Sequence, residues 1–368
     1  MSFLRRNRTA MVCLSLAAAA AGIALAAAKL RDGRFLFEEE TFGGNGRTCL
    51  TCHSRESGTV SPLDAQRRFA INRQDSLFRH DGSDDGRGNG VLRMLTEGTI
   101  LVEIPLPANV RLAGSPSARS VTVRRGIPTT LNTPALDPVL MQDGREPNLV
   151  SQARNALRNH AQVLPAGAGD VDLDAIARFQ LSDRFFSSNA VRDFARGGPA
   201  PALPEGTTAA EKRGRRFFED TFDAADAKAG SCALCHSGPM LDRTNRFFPV
   251  PPAGARFQSV GVSEFNQAGN PVHTFLFRNP DGSETAITSP DPGRALITGR
   301  VEDANFFKIP SLRGVRRTAP YFHDNSARTM EDAVAHYAKL FAVLIPGNPI
   351  ILTPEDQADM VAFMKLLE

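Results

Sequence analysis

Apolar positions recur every three or four residues along several stretches of the chain. Leu173, Ile176 and Phe179 form one such stripe, and Ala333, Val334, Tyr337, Phe341 and Leu344 form a longer one. Each spacing predicts an amphipathic helix. Thr329 with Asp332 gives the longer helix a capping-box start. A further helix carrying Val361 and Met364 is predicted to open at Thr353-Pro354, a cap followed by proline at the first helical position. A period of two marks Ile100/Val102/Ile104 and Val121/Val123 as short strands. The order Gly33-Arg34-Phe35-Leu36-Phe37-Glu38-Glu39-Glu40-Thr41-Phe42 returns as Gly214-Arg215-Arg216-Phe217-Phe218-Glu219-Asp220-Thr221-Phe222. Each copy reads as a short helix. The pattern as a whole predicts a mostly α fold, with a small β-containing insertion in the first half.

Met11 to Ala27 is almost wholly apolar, with Arg5, Arg6 and Arg8 ahead of it and Ala26-Ala27-Ala28 behind it. That order predicts a Sec-type signal peptide over residues 1–28 and a periplasmic address. An uncleaved membrane anchor is the alternative, because the stretch nearly reaches the ~20 residues a span needs. Loss of residues 1–28 would leave 40 basic and 40 acidic residues, a near-neutral balance that gives no reason to expect nucleic acid binding. About 340 remaining residues are enough for two domains.

Two CxxCH pentads carry the chemistry: Cys49-Leu50-Thr51-Cys52-His53 and Cys232-Ala233-Leu234-Cys235-His236. This pattern attaches a c-type haem, with thioethers from the two cysteines and the following histidine on the iron. A redox CxxC or half of a zinc site would use the same cysteines. The chain has five cysteines, and the fifth, Cys13, lies in the predicted signal peptide. Two haems use the other four completely.

Both pentads follow a copy of the Gly-Arg opening, so two cytochrome c-type domains are expected: residues 29–197 and 206–368, joined by a Gly/Pro/Ala-rich linker at 198–205. A second repeat runs from Ile127-Pro128-Thr129 to Asp143-Gly144-Arg145 and from Ile309-Pro310-Ser311 to Asp324-Asn325-Ser326. Tyr337 lies thirteen residues beyond Asp324, and the same count from Asp143 reaches Ala156. If the copies superpose, one haem has a possible distal ligand and the other has none. That asymmetry suggests one electron-storing haem and one open, reactive haem.

Phe307-Lys308-Ile309-Pro310-Ser311-Leu312-Arg313-Gly314-Val315 and Thr318-Ala319-Pro320-Tyr321-Phe322-His323-Asp324 resemble the C-terminal signature of bacterial dihaem cytochrome c peroxidases and MauG-like enzymes. Pro128-Thr129-Thr130-Leu131-Asn132 through Asp143-Gly144-Arg145 resembles its N-terminal counterpart. The resemblance implies two covalently attached haems, with His53 and His236 as proximal ligands. It implies an N-terminal haem that reacts with hydrogen peroxide and a C-terminal haem that stores an electron. The donor it implies is a small periplasmic cytochrome c or cupredoxin, and a homodimer is left open. Tyr337 falls where peroxidases have an axial methionine and MauG-like members an axial tyrosine. From periodicity alone it is a core aromatic on an amphipathic helix. A MauG-like or O₂-using oxidase or oxygenase, and a non-catalytic electron carrier, are the other readings.

Departures from that pattern matter. Gln152 matches a glutamine on the distal side of the reactive haem, but Gln162 stands where the resemblance expects the catalytic glutamate, and an amide cannot shuttle a proton. His160 is the candidate replacement. Gln142 occupies the place of an inter-haem tryptophan. Thr318 and Pro320 match positions that offer carbonyls to a calcium ion, while the expected asparagine is Gly126. The run from His80 to Gly90 reads as a solvated loop, with His80 as a possible removable ligand for the open haem.

Overall fold

The computed structural model describes residues 32–223, 225–248, 252–265, 270–344 and 349–368. The predicted signal peptide and Cys13 lie outside the described residues. Within them the helices are α1 (Gly33–Glu38), α2 (Cys49–Cys52), α3 (Pro62–Ile71), α4 (Leu92–Thr96), α5 (Leu149–Asn159), α6 (Asp170–Gln180), α7 (Asn189–Ala195), α8 (Ala209–Arg215), α9 (Val262–Phe265), α10 (Ala295–Thr298), α11 (Met330–Leu344) and α12 (Pro354–Met364). The strands are β1 (Thr99–Pro105), β2 (Val110–Leu112), β3 (Ser120–Gly126), β4 (Phe257–Gln258), β5 (His273–Arg278), β6 (Glu284–Ser289) and β7 (Phe307–Lys308). No described helix is long and apolar enough to cross a membrane.

Two helical cores share one construction. In the first half α1 meets α6 at Gly33, where a Cβ would lie 2.1 Å from the Ala175 carbonyl oxygen. In the second half α8 meets α12 at Gly214, where a Cβ would lie 2.0 Å from the Asp359 carbonyl oxygen. Only glycine permits such an approach of two backbones. The apolar residues behind each glycine then enter the core: Leu36 and Phe37 with Leu157, Leu173 and Ile176, and Phe217 and Phe218 with Val334, Phe341 and Phe363. The repeated opening in the sequence is therefore a repeated helix crossing.

The capping predictions hold. The Asp332 backbone N–H donates to Thr329 Oγ1 at 3.1 Å and the Thr329 N–H donates to Asp332 Oδ2 at 3.0 Å. Thr353 and Asp356 make the same exchange at the start of α12. Each exchange satisfies helix N–H groups that have no partner within the helix.

The strands extend further than the period-two pattern indicated. β1 and β3, the two expected strands, pair antiparallel, with Val102 opposite Val123 and Ile104 opposite Val121. A three-stranded sheet of order β2-β5-β6 joins the insertion to the second half, with Val110 opposite Phe277 and Leu112 opposite Phe275. Phe275 and Phe277 alternate and are fully buried against Ile104, Val121 and Leu296. The sequence carries that alternation at Phe275 and Phe277. The β layer thus belongs to both halves rather than to the first alone.

One buried arginine ties the halves together and another fixes the segment between them. Arg125 donates bidentately to Asp291, at 2.7 and 3.0 Å, and also to Asp143. Arg313 donates to the carbonyls of Pro201, Ala202 and Pro239 at 2.6, 3.1 and 3.0 Å. Residues 198–205 have no regular secondary structure, but this side chain pins them to the second half.

Candidate haem sites

One cavity of about 380 Å³ runs past both pentads and is lined by Cys49, Cys52, His53, Cys232, Cys235 and His236. Such volumes suit a buried cofactor or substrate. The four cysteines are free thiols. Burial pushes the Cys49, Cys232 and Cys235 thiols up to about 12 and also raises Cys52. The four side chains face a largely apolar cavity, a setting that suits thioether bonding to an apolar macrocycle.

The histidines are oriented identically. His53 Nδ1 lies 2.8 Å from the Gly58 carbonyl oxygen, five residues on, and His236 Nδ1 lies 2.9 Å from the Leu241 carbonyl oxygen, again five residues on. An Nδ1–H donated to a carbonyl leaves Nε2 as the lone-pair nitrogen and fixes the ring plane, a common arrangement for a metal-ligating imidazole. Burial lowers the pKa of both rings, which favours the neutral form that binds iron. The residues present therefore fit one covalently held haem at each pentad.

The second repeat superposes as its sequence implied. Leu140 bridges Glu146 and Tyr321 bridges Ala327. Met141 and Phe322 both have φ of 69°, and Gly144 and Asn325 have φ of 70° and 59°. The offset along the chain is the same in every pair, and it also pairs Ala156 with Tyr337. Gln152, Ala156 and His160 line the cavity from α5 and its C-terminal cap; Ala333, Tyr337 and Phe341 line it from α11. Burial, reinforced by Cys235 and Cys232, raises the Tyr337 phenol above its ordinary value.

Other expectations need correction. Gln162 does not line the cavity. Its backbone is left-handed, and its exposed side chain accepts from Asn45 Nδ2 at 3.1 Å. The turn after His160 carries it outward, a detail that a count of ten from Gln152 cannot register. His80 likewise does not line the cavity. Its Nδ1 and Nε2 lie 3.2 and 3.1 Å from the carbonyl oxygens of Gly86 and Asn159. The run from His80 to Gly90 is not simply solvated either: Asp81, Gly82 and Ser83 are buried. Arg93, itself buried, donates to the Asp81 and Ser83 carbonyls beneath them.

Gln142 donates to the Gly126 carbonyl oxygen at 3.2 Å. Phe307 and His323, which also line the cavity, stack with centroids 3.6 Å apart. Thr318 and Pro320 line the cavity as well. A Cβ at Gly126 would lie 2.0 Å from Asn325 Oδ1. Asn325 thus fills the space that an asparagine at 126 would need. Among the described residues no group of three or more His, Cys, Asp or Glu is placed to hold a metal ion.

Sequence reasoning missed Asp81 and Arg47. Asp81 Oδ2 lies 2.6 Å from His160 Nδ1, and Arg47 donates to Asp81 Oδ1 from the other side. Neither residue stands in a recognisable motif; only the fold brings them to α5.

Comparison with known proteins agrees with this geometry. The chain is 27% identical over 241 residues to the cytochrome c peroxidase of Escherichia coli, a match covering 65% of this chain and 40% of that protein. A cytochrome-c peroxidase of a Pseudomonas strain is 23% identical over 344 residues, 91% of this chain and 79% of the relative. A MauG-like protein associated with microbial copper homeostasis shares the fold, with a TM-score of 0.52 and 20% identity over 92% of this chain and 88% of that one. No family model matches. The chain spans less than half the length of the first curated relatives it matches. Its relatives in sequence are thus cytochrome c peroxidases and its fold is that of a MauG-like protein, the resemblance its motifs carried.

Proposed function

We propose that the chain is a periplasmic dihaem c-type oxidoreductase of the peroxidase kind, reducing hydrogen peroxide with electrons from a small cytochrome c or cupredoxin. One observation carries the reading. Two equally built histidine sites share a cavity, and the matching position on the distal helix is Ala156 in one and Tyr337 in the other. Bound haem would supply the iron that activates peroxide and the electrons that reduce it.

The protein residues take separate roles. His53 and His236 would hold the iron through Nε2, and their carbonyl partners keep the rings in place. Ala156 offers only a methyl group to the cavity, which would leave room for a small ligand, while Gln152 and His160 offer polar groups there. Tyr337 lines the cavity at the corresponding helix position and would be the further iron ligand of the second site. Calcium belongs to the same reading: Thr318 and Pro320 line the shared cavity, and Asn325 supplies an amide oxygen against Gly126, where the resemblance expects an asparagine.

Steady-state peroxide consumption with a reduced cytochrome c as donor tests the proposal. Turnover that follows donor oxidation supports it, and no turnover with either donor class overturns it. Tyr337 favours a second reading. A phenolate stabilises ferric and higher iron states, which suits a MauG-like or O₂-using oxidation of another substrate. Oxygen consumption in place of peroxide consumption would select that reading.

A further inference from the structure

The reacting face has a carboxylate after all, one residue removed from the cavity. His160 lines the cavity as the cap residue of α5, one turn beyond Ala156. Its Nδ1 is 2.6 Å from Asp81 Oδ2, and Nε2 has no protein partner among the described residues. Asp81 is 4% exposed. Its other oxygen accepts from Arg47, which is 2% exposed and lies two residues before Cys49.

Arg47 is held in turn by the carbonyls of Ser76 and Leu77 at 2.9 Å and of His160 at 3.0 Å. Gly82 completes the cradle: a Cβ there would lie 1.9 Å from the Leu77 carbonyl oxygen and 2.6 Å from Arg47 Nη2. The neighbouring His80 meets Asn159, so residues 80–81 clasp residues 159–160 side by side. Burial alone would raise the Asp81 carboxyl, but the His160 hydrogen bond and the Arg47 charge hold it below its ordinary value. Asp81 is thus an anion between two donors.

We infer that Asp81 is the positioning residue of the reacting face, fixing His160 as the proton carrier that Gln162 cannot be. This rests on the peroxidase reading of the N-terminal site. With Nδ1–H directed at Asp81, His160 Nε2 presents its lone pair to the cavity. Nε2 takes a proton from one peroxide oxygen and returns it to the other, which leaves as water when the O–O bond breaks. The proton is conserved, and the two electrons come from the haems and are replaced by the reduced donor. Uptake of two further protons converts the remaining oxygen to a second water. The charged and titratable groups facing His160 are Asp81 and Arg47 on the loop side, with His53 as the ring whose charge it affects across the cavity.

Asp81→Asn tests the tautomer directly. With Arg47 claiming the amide oxygen, Asn would offer N–H to Nδ1 and force the hydrogen onto Nε2, the inversion that carboxylate-to-amide changes cause beside other catalytic histidines. The second-order rate of the haem reaction with peroxide should fall about 10- to 100-fold. Asp81→Glu should recover part of it. His160→Gln leaves the Arg47–Asp81 pair intact, so folding is retained, and should cost about 10²- to 10⁴-fold. Carbon monoxide binding to the reduced protein needs no proton transfer and should be unchanged in all three.

If the parent reacts with peroxide and neither Asp81→Asn nor His160→Gln is slower, the inference fails while the peroxidase reading stands. Carbon monoxide binding that falls in step with the peroxide rate would reduce Asp81 to a structural role. A parent that does not react with peroxide overturns the reading and the inference together.

Discussion

Gln152, Ala156 and His160 on the first distal face stand where the second carries Ala333, Tyr337 and Phe341. Around the histidines the two sites are alike, down to the Nδ1-to-carbonyl contact five residues after each histidine. In front they differ at all three helix positions. One face combines a gap with polar groups; the other combines a possible ligand with apolar packing. The comparison teaches that a duplicated scaffold can present two chemically different faces by changing one stripe of one helix. The polar stripe also needs support from outside the repeat. Arg47 and Asp81 supply it.

The comparison can be broken most strongly at His160. His160→Phe copies Phe341 into the first face and should reduce the peroxide rate by about 10²- to 10⁴-fold, as read by stopped-flow absorbance. A rate within a few-fold of the parent would mean the faces do not differ where it matters.

The next effect is on the seam that holds the faces together. Asp291→Asn removes one partner of buried Arg125 and should destabilise the protein by about 3–5 kcal/mol, measured by denaturant unfolding. The same ion group gives a pH signature through Asp143. Burial would raise its carboxyl, but Arg125 and Arg145 hold it down to about 2. A depressed carboxyl contributes stability that is complete above about pH 4 and is lost as pH falls through about 2. The stability gap between the parent and Asp143→Asn should therefore be flat from neutrality to about pH 4 and narrow below it. A gap unchanged down to about pH 2 would contradict the assignment.

Tyr337→Phe sharpens the comparison at the other face. It should abolish any tyrosine-to-iron charge-transfer band and raise the potential of the C-terminal haem, since an anionic ligand that favours ferric iron is gone. An unaltered spectrum would leave Tyr337 as a core aromatic. The smallest effect is expected at Gln162. Gln162→Glu restores a carboxylate in the sequence but places it in solvent beside Asn45, so the peroxide rate should stay within about 2-fold of the parent. An acceleration approaching the ~10² of a general acid–base group would mean that the segment reorganises when haem is bound.

The two histidine sites were legible in the sequence because the CxxCH pattern is local: two cysteines and a histidine within five residues. The helix crossings were legible through the repeated glycine and aromatic residues, and the caps through side chains that act three residues apart. Ala156 and Tyr337 could be paired by counting because the repeat preserves its length between the turn and the helix. Gln162 could not be placed that way, since a single left-handed residue after α5 redirects everything that follows it. The sheet that joins the halves was missed because strand pairing between Leu112 and Phe275 leaves no local trace.

The sequence by itself determined where the two CxxCH patterns lie and which helix has alanine where the other has tyrosine, because those choices are made by residue type at short, fixed separations. Only the tertiary structure decided what stands beside the open site. Asp81, Arg47 and His160 come from three separate segments, and a carboxylate, a guanidinium and an imidazole find one another there because burial without partners would cost each of them more than ordering costs the chain.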